Sequence, residues 1–548
     1  MIPIGLSALL ASAPALATVP AVTADPASAY VAARAASISG DHAQAAELYA
    51  RLASGSSDPD LQRRAISEAI TAGDMPLALR LVRQSAKPTA TVDSKLLLVA
   101  DALRRDKSAE AVQLLSPSSG GADLSFWSPL VQAWDAAQRR DSASAIAYLA
   151  AVPRSSALAP FIDEESALVL LKLDRTADAE PYARRAIGSA GPREYRLRLA
   201  LAQGFWAAGD RARALAMLDG VSGDTAVARQ ALQSGGLKTL AIDSAAEAFS
   251  DQLVALALEM QRSDRPPANP LNIVQIARYA APDSSAAAIL LGNLLARDDQ
   301  LAGALAAYRS VGDRDPLKSE ALDSEVRALS DSKRLDEALA IANRAAVAPG
   351  ARSDDFSRLG DVYSSMKRYD DAAAAYGRAI ALAPKAGTAQ VWPLLLLQAS
   401  AFQSANRWPE AKAALGAAIG MAPNEPVVLN FLGYSKLVHG EDTKSAEALI
   451  RRASELAPDD ASITDSLGWA LYKLGKVDEA IAMLQKAAIG DPAQAEIQEH
   501  LGDALYASGR RFEARFAWSA ALATADDEET ARIRTKIASG LTKSTAAP

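Results

Sequence analysis

The histidine, cysteine and paired acidic residues are the ones whose types could support catalysis or metal binding. The chain has no cysteine and three histidines, His42, His439 and His500, which excludes thiol nucleophiles, disulfides and cysteine-ligated zinc. We expect His42 and His439 in solvated turns and His500 as a groove-lining polar residue on a helix. The adjacent pairs Glu164–Glu165 and Asp459–Asp460 diverge around a helix or lie in a turn, so we expect them on solvated faces.

No motif of a catalytic or nucleotide-binding site accompanies these residues. The sequence has no GxxxxGK[ST] phosphate loop, no GxGxxG after a strand, no HExxH and no GxSxG. We therefore predict that the chain is not an enzyme and holds no cofactor and no metal. The weaker alternative is an enzyme with a site hidden in the irregular segment 220–284, which contains no histidine, no cysteine and no acid–base constellation.

The composition indicates a helical protein made of several modules. The 548 residues are too many for one hydrophobic core, which stops growing near about 250–300 residues. Hydrophobic residues make up 50% of the chain, but the aromatic ones are only 9 Phe, 7 Trp and 13 Tyr, so the apolar content comes mostly from helix-forming and aliphatic residues. The net charge of −7, from 58 Lys and Arg against 65 Asp and Glu, predicts no nucleic-acid binding.

Residues 1–24 resemble a secretory signal peptide. An apolar run from Ile4 to Leu16 is followed by the small-residue sites Ala15–Ala17 and Val22–Ala24, a pattern typical of export signals. No Lys or Arg precedes the run, and an alanine-rich frayed N-terminus is the alternative. No later stretch reaches the ~18 apolar residues of a membrane span. We expect an exported, soluble, periplasmic protein without an integral membrane span, with a cytoplasmic location as the alternative.

A 34-residue repeat organises the C-terminal half of the chain. The segment Ser353–Pro384 aligns with the segments that follow it, and Gly468 and Gly502 lie one period apart. Small residues recur at position 8 of the repeat, alanines at positions 20 and 27, and proline at position 32. This pattern predicts two antiparallel helices, A and B, that approach closely at the small residues and end at the proline. Neighbouring pairs must stack, because one pair cannot bury its apolar stripe alone.

The same pattern predicts about thirteen regular units and one atypical unit. Helix B alanines recur every 33 to 35 residues from Ala45 to Ala214. The regular units are predicted to start near residues 26, 59, 92, 126, 160, 195, 285, 319, 353, 392, 426, 461 and 495. Residues 220–284 break the register and are predicted to be an atypical helical segment with a Pro-rich loop, and a hinge or domain boundary. The predicted organisation is a signal peptide (1–24), an N-terminal array (25–219), the atypical segment (220–284), a C-terminal array (285–525), and a capping helix with a disordered tail (526–548).

The repeat resembles the tetratricopeptide repeat (TPR) from about Pro26 to Ala525. The resemblance implies an all-α, right-handed superhelical solenoid of antiparallel helix pairs in which the A helices line a concave groove. It places an N-terminal and a C-terminal set of side chains in that groove, where Trp and Tyr are residue types that dominate binding hot spots. The N-terminal set is Trp127, Trp134, Phe161 and Trp206. The C-terminal set is Asn430, Tyr434, Asp465, Trp469, Tyr472, Glu499, Asp503 and Tyr506.

The C-terminal segments LNFLGYSKLVHG and ASITDSLGWALYKLGKVDEAIAMLQKA also resemble bacterial cell-envelope TPR proteins, some of which are adaptors for carboxyl-terminal-processing proteases. This resemblance implies a scaffold or adaptor that holds a protein or peptide partner in its groove, in envelope assembly or proteolysis. A structural subunit of a polysaccharide-secretion or outer-membrane complex is the alternative function.

Overall fold

The protein is all-α in every part of the chain that its structure describes. The structure is a computed structural model, and it describes residues 25–56, 58–85, 91–117, 123–220, 225–235, 237, 240–261, 269–383 and 391–547. These residues form thirty α-helices and no β-strand. The predicted signal peptide and most of the predicted Pro-rich loop lie outside the described residues.

Twenty-six of the helices form thirteen consecutive pairs, which confirms the predicted regular units. The first six pairs are α1 (Pro26–Ile38) with α2 (His42–Ser54), α3 (Pro59–Thr71) with α4 (Met75–Gln84), α5 (Val92–Arg104) with α6 (Ser108–Leu115), α7 (Ser128–Gln138) with α8 (Ser142–Ala150), α9 (Ile162–Lys172) with α10 (Thr176–Ser189), and α11 (Glu194–Ala207) with α12 (Arg211–Ala216). Short 3-10 turns precede α7, α9 and α11 at Ser125–Trp127, Ala159–Phe161 and Gly191–Arg193.

Three further helices follow before the pairs resume. They are α13 (Ala226–Gln233), α14 (Ala245–Met260) and α15 (Pro270–Ala280). The later pairs are α16 (Ser285–Arg297) with α17 (Leu301–Arg309), α18 (Lys318–Asp331) with α19 (Leu335–Ala346), α20 (Ser353–Ser365) with α21 (Tyr369–Leu382), α22 (Val391–Ser404) with α23 (Trp408–Met421), α24 (Pro426–Val438) with α25 (Thr443–Leu456), α26 (Ala461–Lys473) with α27 (Val477–Gly490), and α28 (Ala495–Ala507) with α29 (Arg511–Ala521). The predicted capping helix is α30 (Asp527–Ser539).

The turn between the helices of a pair has a local chemical cause. Gly73 adopts φ 78°, a left-handed conformation that glycine reaches without steric cost. Asp74 follows as the N-cap of α4, and its carboxylate accepts a 2.9 Å hydrogen bond from the backbone N–H of Leu77. The Gly-Asp dipeptides before α2 and α12 cap their helices in the same way, so the sequence signal fixes both the end of helix A and the start of helix B.

The small residue at position 8 lets the two helices of a pair touch. A Cβ atom built on Gly468 would lie 2.7 Å from Leu484 Cγ, and one built on Gly360 would lie 2.5 Å from Tyr376 Cε1. These distances are shorter than any van der Waals contact, so any larger residue would push the helices apart. The close approach predicted at this position is therefore present.

The irregular segment belongs to the N-terminal part of the molecule. The chain divides into two compact units between Ala321 and Leu322, inside α18, and not at 220–284 as expected. We call the part through Ala321 unit 1 and the part from Leu322 onward unit 2. The segment contains three helices, and α14 and α15 pack against each other and against α3, α5 and α7, which keeps them within unit 1.

The C-terminal tail also differs from the sequence expectation. Residues 540–547 were expected to be disordered, but they continue α30 as an ordered turn. Leu541 packs against the apolar core of the last repeats, and the Ala547 N–H donates a 3.0 Å hydrogen bond to Asp503 Oδ2. The tail therefore covers part of α28.

Candidate functional site

The concave side of the N-terminal repeats is filled by the chain itself. Asn272 on α15 is fully buried and lies among residues of α3 and α5. Its amide nitrogen donates to Asp93 Oδ2 at 2.8 Å and Ser67 Oγ at 3.1 Å, and its amide oxygen accepts from Thr71 Oγ1 at 2.7 Å. Tyr279, also on α15, donates to Asp101 Oδ1 at 3.0 Å. On the described residues of α3, α5 and α7, α14 and α15 therefore occupy the place of the expected groove.

Two of the predicted N-terminal groove residues are buried beneath this packing. Trp134 is fully buried, and its indole N–H donates a 2.9 Å hydrogen bond to Glu165 Oε2. Trp127 is buried against Phe249 of α14, with ring centroids 5.1 Å apart. The expectation that Trp134 faces an open groove is wrong, because α9 and α14 close over it.

A cavity of about 1010 Å³ opens in unit 1 beside these residues. The 3-10 turns before α7, α9 and α11 form one side, and the C-terminal part of α14 forms the other. Most of its wall is apolar or aromatic. The apolar residues in the wall include Phe126, Trp127, Leu158, Pro160, Phe161, Pro192, Ala255, Leu256 and Leu258. The cavity therefore contains two of the sequence-predicted residues, Trp127 and Phe161.

Two of the three charged side chains in the cavity wall, Arg193 and Asp163, are paired with neighbours, and the third is Glu259 of α14. Arg193 binds Glu164 at 3.0 Å and stacks over the Phe161 ring at 4.7 Å. Asp163 accepts from Arg185 at 2.7 Å. Paired charges of opposite sign do not favour an anionic or a cationic ligand, so the apolar wall sets the chemistry of the cavity. Sequence reasoning missed Arg193 and the α14 residues, because nothing local indicates that α14 returns to these repeats.

Glu164 and Glu165 are buried behind this wall and not solvated as expected. They are 3% and 1% exposed. Burial raises the pKa of Glu164, and the charge of the neighbouring Asp251 adds to the rise while Arg193 opposes it. Burial and the charge of Glu164 raise the pKa of Glu165 to about 8, against the hydrogen bonds from Trp134 and Gln252. These carboxyls are hydrogen-bonded to protein groups behind the wall, so they are not a solvent-facing acidic pair.

The remaining predicted N-terminal residue, Trp206, lies apart from the cavity. It is partly buried on α11, and the guanidinium of Arg211 lies 5.0 Å from its ring centroid. It is absent from the cavity wall. The four predicted residues therefore separate into two cavity residues, one core residue and one residue on another surface.

Part of the predicted C-terminal set forms an aromatic stack across α24, α26 and α28. Trp469 is fully buried between His500, at 4.1 Å, and Tyr472, at 4.9 Å, with nearly parallel rings. Asp465 is buried and binds His500 Nδ1 at 2.9 Å. Burial acts to lower the pKa of His500, but the charge and hydrogen bond of Asp465 outweigh it and the pKa is raised. Trp469 and Asp465 are core residues, which corrects their expected exposure on a groove.

Three other residues of the set remain partly exposed around this stack. They are Asn430, Tyr434 and Tyr472. The Tyr434 hydroxyl donates a 2.5 Å hydrogen bond to Glu496 Oε1. Burial and this carboxylate raise the pKa of Tyr434. These residues provide a small polar and aromatic surface on unit 2.

The last three residues of the set are covered by the chain's own C-terminus. Lys536 of α30 is fully buried and binds Glu499 Oε1 at 2.7 Å and both carboxylate oxygens of Asp503 at 2.7 Å. Arg532 binds Glu499 Oε2 at 2.7 Å. Tyr506 packs beside Gly540 of the tail. Glu499 and Asp503 are buried, so the sequence expectation of a groove at the last repeat is corrected: α30 and the tail take that place.

A polar groove that sequence reasoning missed lies on α18 and α20 in unit 2. Its volume is about 370 Å³, and its wall includes Asp323, Arg327, Asp354 and Asp361. Arg358 is buried beside it and binds Asp323 at 2.6 Å. The signal that could have identified it is a set of charged residues at helix A positions in two successive units. Asp323 and Arg327 are at positions 5 and 9 of the first unit, and Asp354 and Asp361 are at positions 2 and 9 of the next.

The three histidines are in three different environments. His42 is partly buried and binds Glu68 Oε2 at 2.6 Å through Nδ1. His439 is exposed and stacks on Trp408, with ring centroids 4.5 Å apart. Within the described ranges, no three His, Asp or Glu side chains come together in a way that could hold a metal ion. Among the described helices, none combines the length and the apolarity that crossing a bilayer requires.

The helix pairs agree with the protein-family models that match this sequence. Models of the tetratricopeptide repeat match residues 356–385, 396–461 and 466–529. The chain therefore contains tetratricopeptide repeats. The matched residues lie in unit 2, where Gly360, Gly433, Gly468 and Gly502 occupy the small position of helix A in four repeat units and Ala399 occupies it in the unit between Gly360 and Gly433.

Solved structures of several proteins are similar to this chain. The APC/C hetero-tetramer Cut9–Hcn1 is 13% identical, with 95% of this chain and 97% of that chain covered and a TM-score of 0.39. TTC0263, a thermophilic TPR protein of Thermus thermophilus, is 22% identical, with 34% and 98% covered and a TM-score of 0.30. YrrB, described as a TPR protein with an unusual peptide-binding site, is 21% identical, with 37% and 97% covered and a TM-score of 0.26. No curated protein sequence matches the chain.

Proposed function

We propose that this TPR protein is a non-enzymatic scaffold that binds an apolar segment of a partner protein in the cavity of unit 1. TPR proteins are protein-interaction scaffolds, which gives the general class of function. The observation that carries the specific proposal is the cavity of about 1010 Å³ with its largely apolar wall. Its volume is at the upper end of the ~300–1000 Å³ that ligand sites typically enclose.

The wall chemistry supports a protein segment with apolar side chains. Phe126, Trp127 and Phe161 offer aromatic surface, and aromatic residues are prominent among those that dominate binding energies at protein interfaces. Arg193 and Asp163 are engaged with Glu164 and Arg185, so neither is available as a dedicated partner for a ligand charge. Backbone polar groups of a bound segment would face the open side of the cavity and stay hydrated.

The test is site-specific photo-crosslinking with the full chain. A photoreactive residue replaces Phe161, and captured proteins are identified by mass spectrometry together with the crosslinked peptide. We expect a partner whose crosslinked peptide is apolar. The variant Phe161→Glu should lose at least tenfold of the capture measured through a second photoreactive residue at Leu256, since it buries a charge in the apolar wall.

The matched control is Phe516→Glu, a substitution of the same type at a side chain that is 63% exposed on α29. This variant should capture the partner as the unmodified chain does. Equal capture by Phe161→Glu and the unmodified chain, or crosslinks to polar peptides of unrelated proteins, would contradict the proposal.

We further propose that the partner is met in the periplasm, in envelope assembly or proteolysis. The apolar run Ile4–Leu16 and the small-residue sites after it support export, and the C-terminal repeats resemble those of envelope protease adaptors. Capture from an envelope fraction separates the alternatives. A processing protease would support the adaptor function, and a subunit of a secretion or outer-membrane complex would support the structural one. Capture of cytosolic proteins alone would contradict export.

A further inference from the structure

Three carboxyl groups meet in the wall between α9 and α14, directly behind the apolar cavity. Glu164 and Glu165 of α9 are buried, and Asp251 of α14 is partly buried. Glu164 and Asp251 line the same void of about 30 Å³, across which the two carboxyls can share a hydrogen bond. Such a bond requires a proton on one of them, because an ionised carboxylate only accepts hydrogen bonds.

Few positive charges face these three groups. Arg193, from the turn before α11, binds Glu164 at 3.0 Å. Arg196 of α11 lines a small void of about 30 Å³ together with Glu164, Asp251 and Arg193, but its guanidinium is bound to Glu320. Arg193 is therefore the cation that binds this group directly, and it cannot neutralise three carboxylates.

The other side chains packed against the group are neutral donors. Trp134 of α7 donates to Glu165 Oε2 at 2.9 Å, and Gln252 of α14 donates to Glu165 Oε1 at 2.8 Å. The neighbouring Asp163 is bound to Arg185 and exposed in part to solvent. The cluster thus holds an excess of acidic groups at the contact between α9 and α14.

We propose that Glu164 and Asp251 form a proton-binding pair that holds α14 against α9, so that losing the shared proton loosens α14. Ala255 and Leu256 of α14 belong to the cavity wall, so loosening α14 opens that wall. The effect on partner binding rests on the proposed function of the cavity. The loosening of α14 itself does not depend on any partner.

The direction of the pH dependence follows from the proton balance. Burial raises the pKa of Glu164 above its usual 4.5 and raises the pKa of Glu165 to about 8. When α14 opens, these groups meet water and titrate near 4.5. The closed state then holds protons that the open state releases between pH 4.5 and about 8, so closure is strongest at low pH and weakens as the pH rises to about 8. Linkage allows up to about tenfold in the opening equilibrium per pH unit for each proton.

Hydrogen–deuterium exchange of the full chain without a partner tests the proposal. Peptides from α14 are followed from pH 5.5 to 9 and corrected for the intrinsic pH dependence of exchange, with α23 of unit 2 as the internal reference. We expect the opening equilibrium of α14 to rise at least tenfold between pH 5.5 and 7.5 and to level off above about 8.5. A flat profile of the unmodified chain overturns the proposal.

The variant Glu164→Gln with Glu165→Gln removes two of the acids. Asp251 then no longer faces another acidic group across the contact, so the opening equilibrium should change less than threefold over the same range. Glu47→Gln, a substitution of the same type at an exposed residue of α2, should behave as the unmodified chain. A pH profile of the double variant equal to that of the unmodified chain also overturns the proposal. Failure of the cavity to bind a partner appears only in the crosslinking experiment, so the two failures are distinguishable.

Discussion

Trp134 Nε1 donates a hydrogen bond to Glu165 Oε2 over 2.9 Å, and both side chains are buried. Gln252 of α14 donates to the other oxygen of the same carboxyl group at 2.8 Å. One carboxyl group therefore joins three helices: α7 and α9, which belong to successive repeats, and α14, which lies further along the chain. This link is buried, so breaking it leaves a polar atom that water cannot reach.

We predict that Trp134→Phe destabilises unit 1 by about 1–3 kcal/mol, the cost of leaving a buried acceptor without its donor. The indole hydrogen bond lowers the pKa of Glu165, which means that it favours the ionised carboxylate. The loss in free energy of unfolding should therefore be larger at pH 8.5 than at pH 6. Urea unfolding at the two pH values measures this loss in free energy. Trp206→Phe, which changes a partly buried indole, is the control. Equal losses at both pH values would contradict this account of Glu165.

Two glycines in helices of unit 2 should respond oppositely to the same substitution. A Cβ at Gly468 would lie 2.7 Å from Leu484 Cγ, whereas one at Gly416 in α23 has no neighbour within 4 Å. Gly468→Ala should destabilise by about 1–3 kcal/mol through overpacking. Gly416→Ala should stabilise by about 0.5–1 kcal/mol through the lower entropy of the unfolded chain. Thermal unfolding measures the stability of both variants. A shift of the melting temperature in the same direction in both would reject the assigned repeat register.

The helix pairs could be predicted because their signals are local. Gly73-Asp74 sets a left-handed turn and a helix cap within two residues, and Gly468 needs only the facing helix B of its own pair. The covering of the groove by α14 and α15 could not be predicted from local signals. Asn272 covers Thr71 from 201 residues away, and no periodicity within either segment indicates that contact.

Packing by segments distant in sequence also explains why several candidate groove residues are core residues. Trp127, in the 3-10 turn before α7, packs against Phe249 of α14, and Trp134 of α7 is buried and donates to Glu165. Glu164 and Glu165 are spaced like a solvated pair, and only the packing of α14 and α11 buries them. At the other end, Asp503 is at a groove position of its repeat and is covered by α30. Burial at helix A is therefore decided by which later segment packs on it.

Trp469 provides a direct test of this distinction between core and groove. It is 0% exposed and stacked against His500 and Tyr472, so Trp469→Ala should lower the free energy of unfolding of unit 2 by about 3–5 kcal/mol. Phe512 on α29 is 74% exposed. Phe512→Ala should therefore change the free energy of unfolding by less than about 0.5 kcal/mol. Urea unfolding of the two variants is the measurement. Comparable effects would show that Trp469 is not a core residue.

The buried ion pairs of α30 should hold the C-terminal helix in place. Lys536→Ala leaves Glu499 and Asp503 buried with one cation, Arg532, between them, and breaking a buried pair typically costs about 3–5 kcal/mol. We expect hydrogen exchange in α30 to rise to the level of an exposed terminus. Arg534→Ala removes an exposed cation of the same helix and should leave that exchange within twofold of the unmodified chain. Protection of α30 in Lys536→Ala would show that apolar packing of Ile533 and Ile537 is sufficient.

The amide group of Asn272 links α15 to α3 and α5 through three buried or partly buried hydrogen bonds. Asn272→Asp keeps the shape of the side chain but replaces the NH₂ that donates to Asp93 Oδ2 and Ser67 Oγ with an oxygen. Two carboxyls then face each other in a buried site. Burial raises the pKa of Asp93 already, and the Asn272 hydrogen bond opposes that rise, so the substitution should raise this pKa further.

At pH 7 we expect Asn272→Asp to lower the free energy of unfolding by about 3–5 kcal/mol, as for an uncompensated buried charge. The loss should shrink toward pH 4, because a proton shared by the two carboxyls restores a donor and the native state gains stability as the pH falls. Urea unfolding from pH 4 to 8 measures the slope. Asn424→Asp, at an exposed residue that accepts from Arg452, should show no such slope, and a pH-independent loss in Asn272→Asp would mean that shape and not proton balance governs how α15 packs.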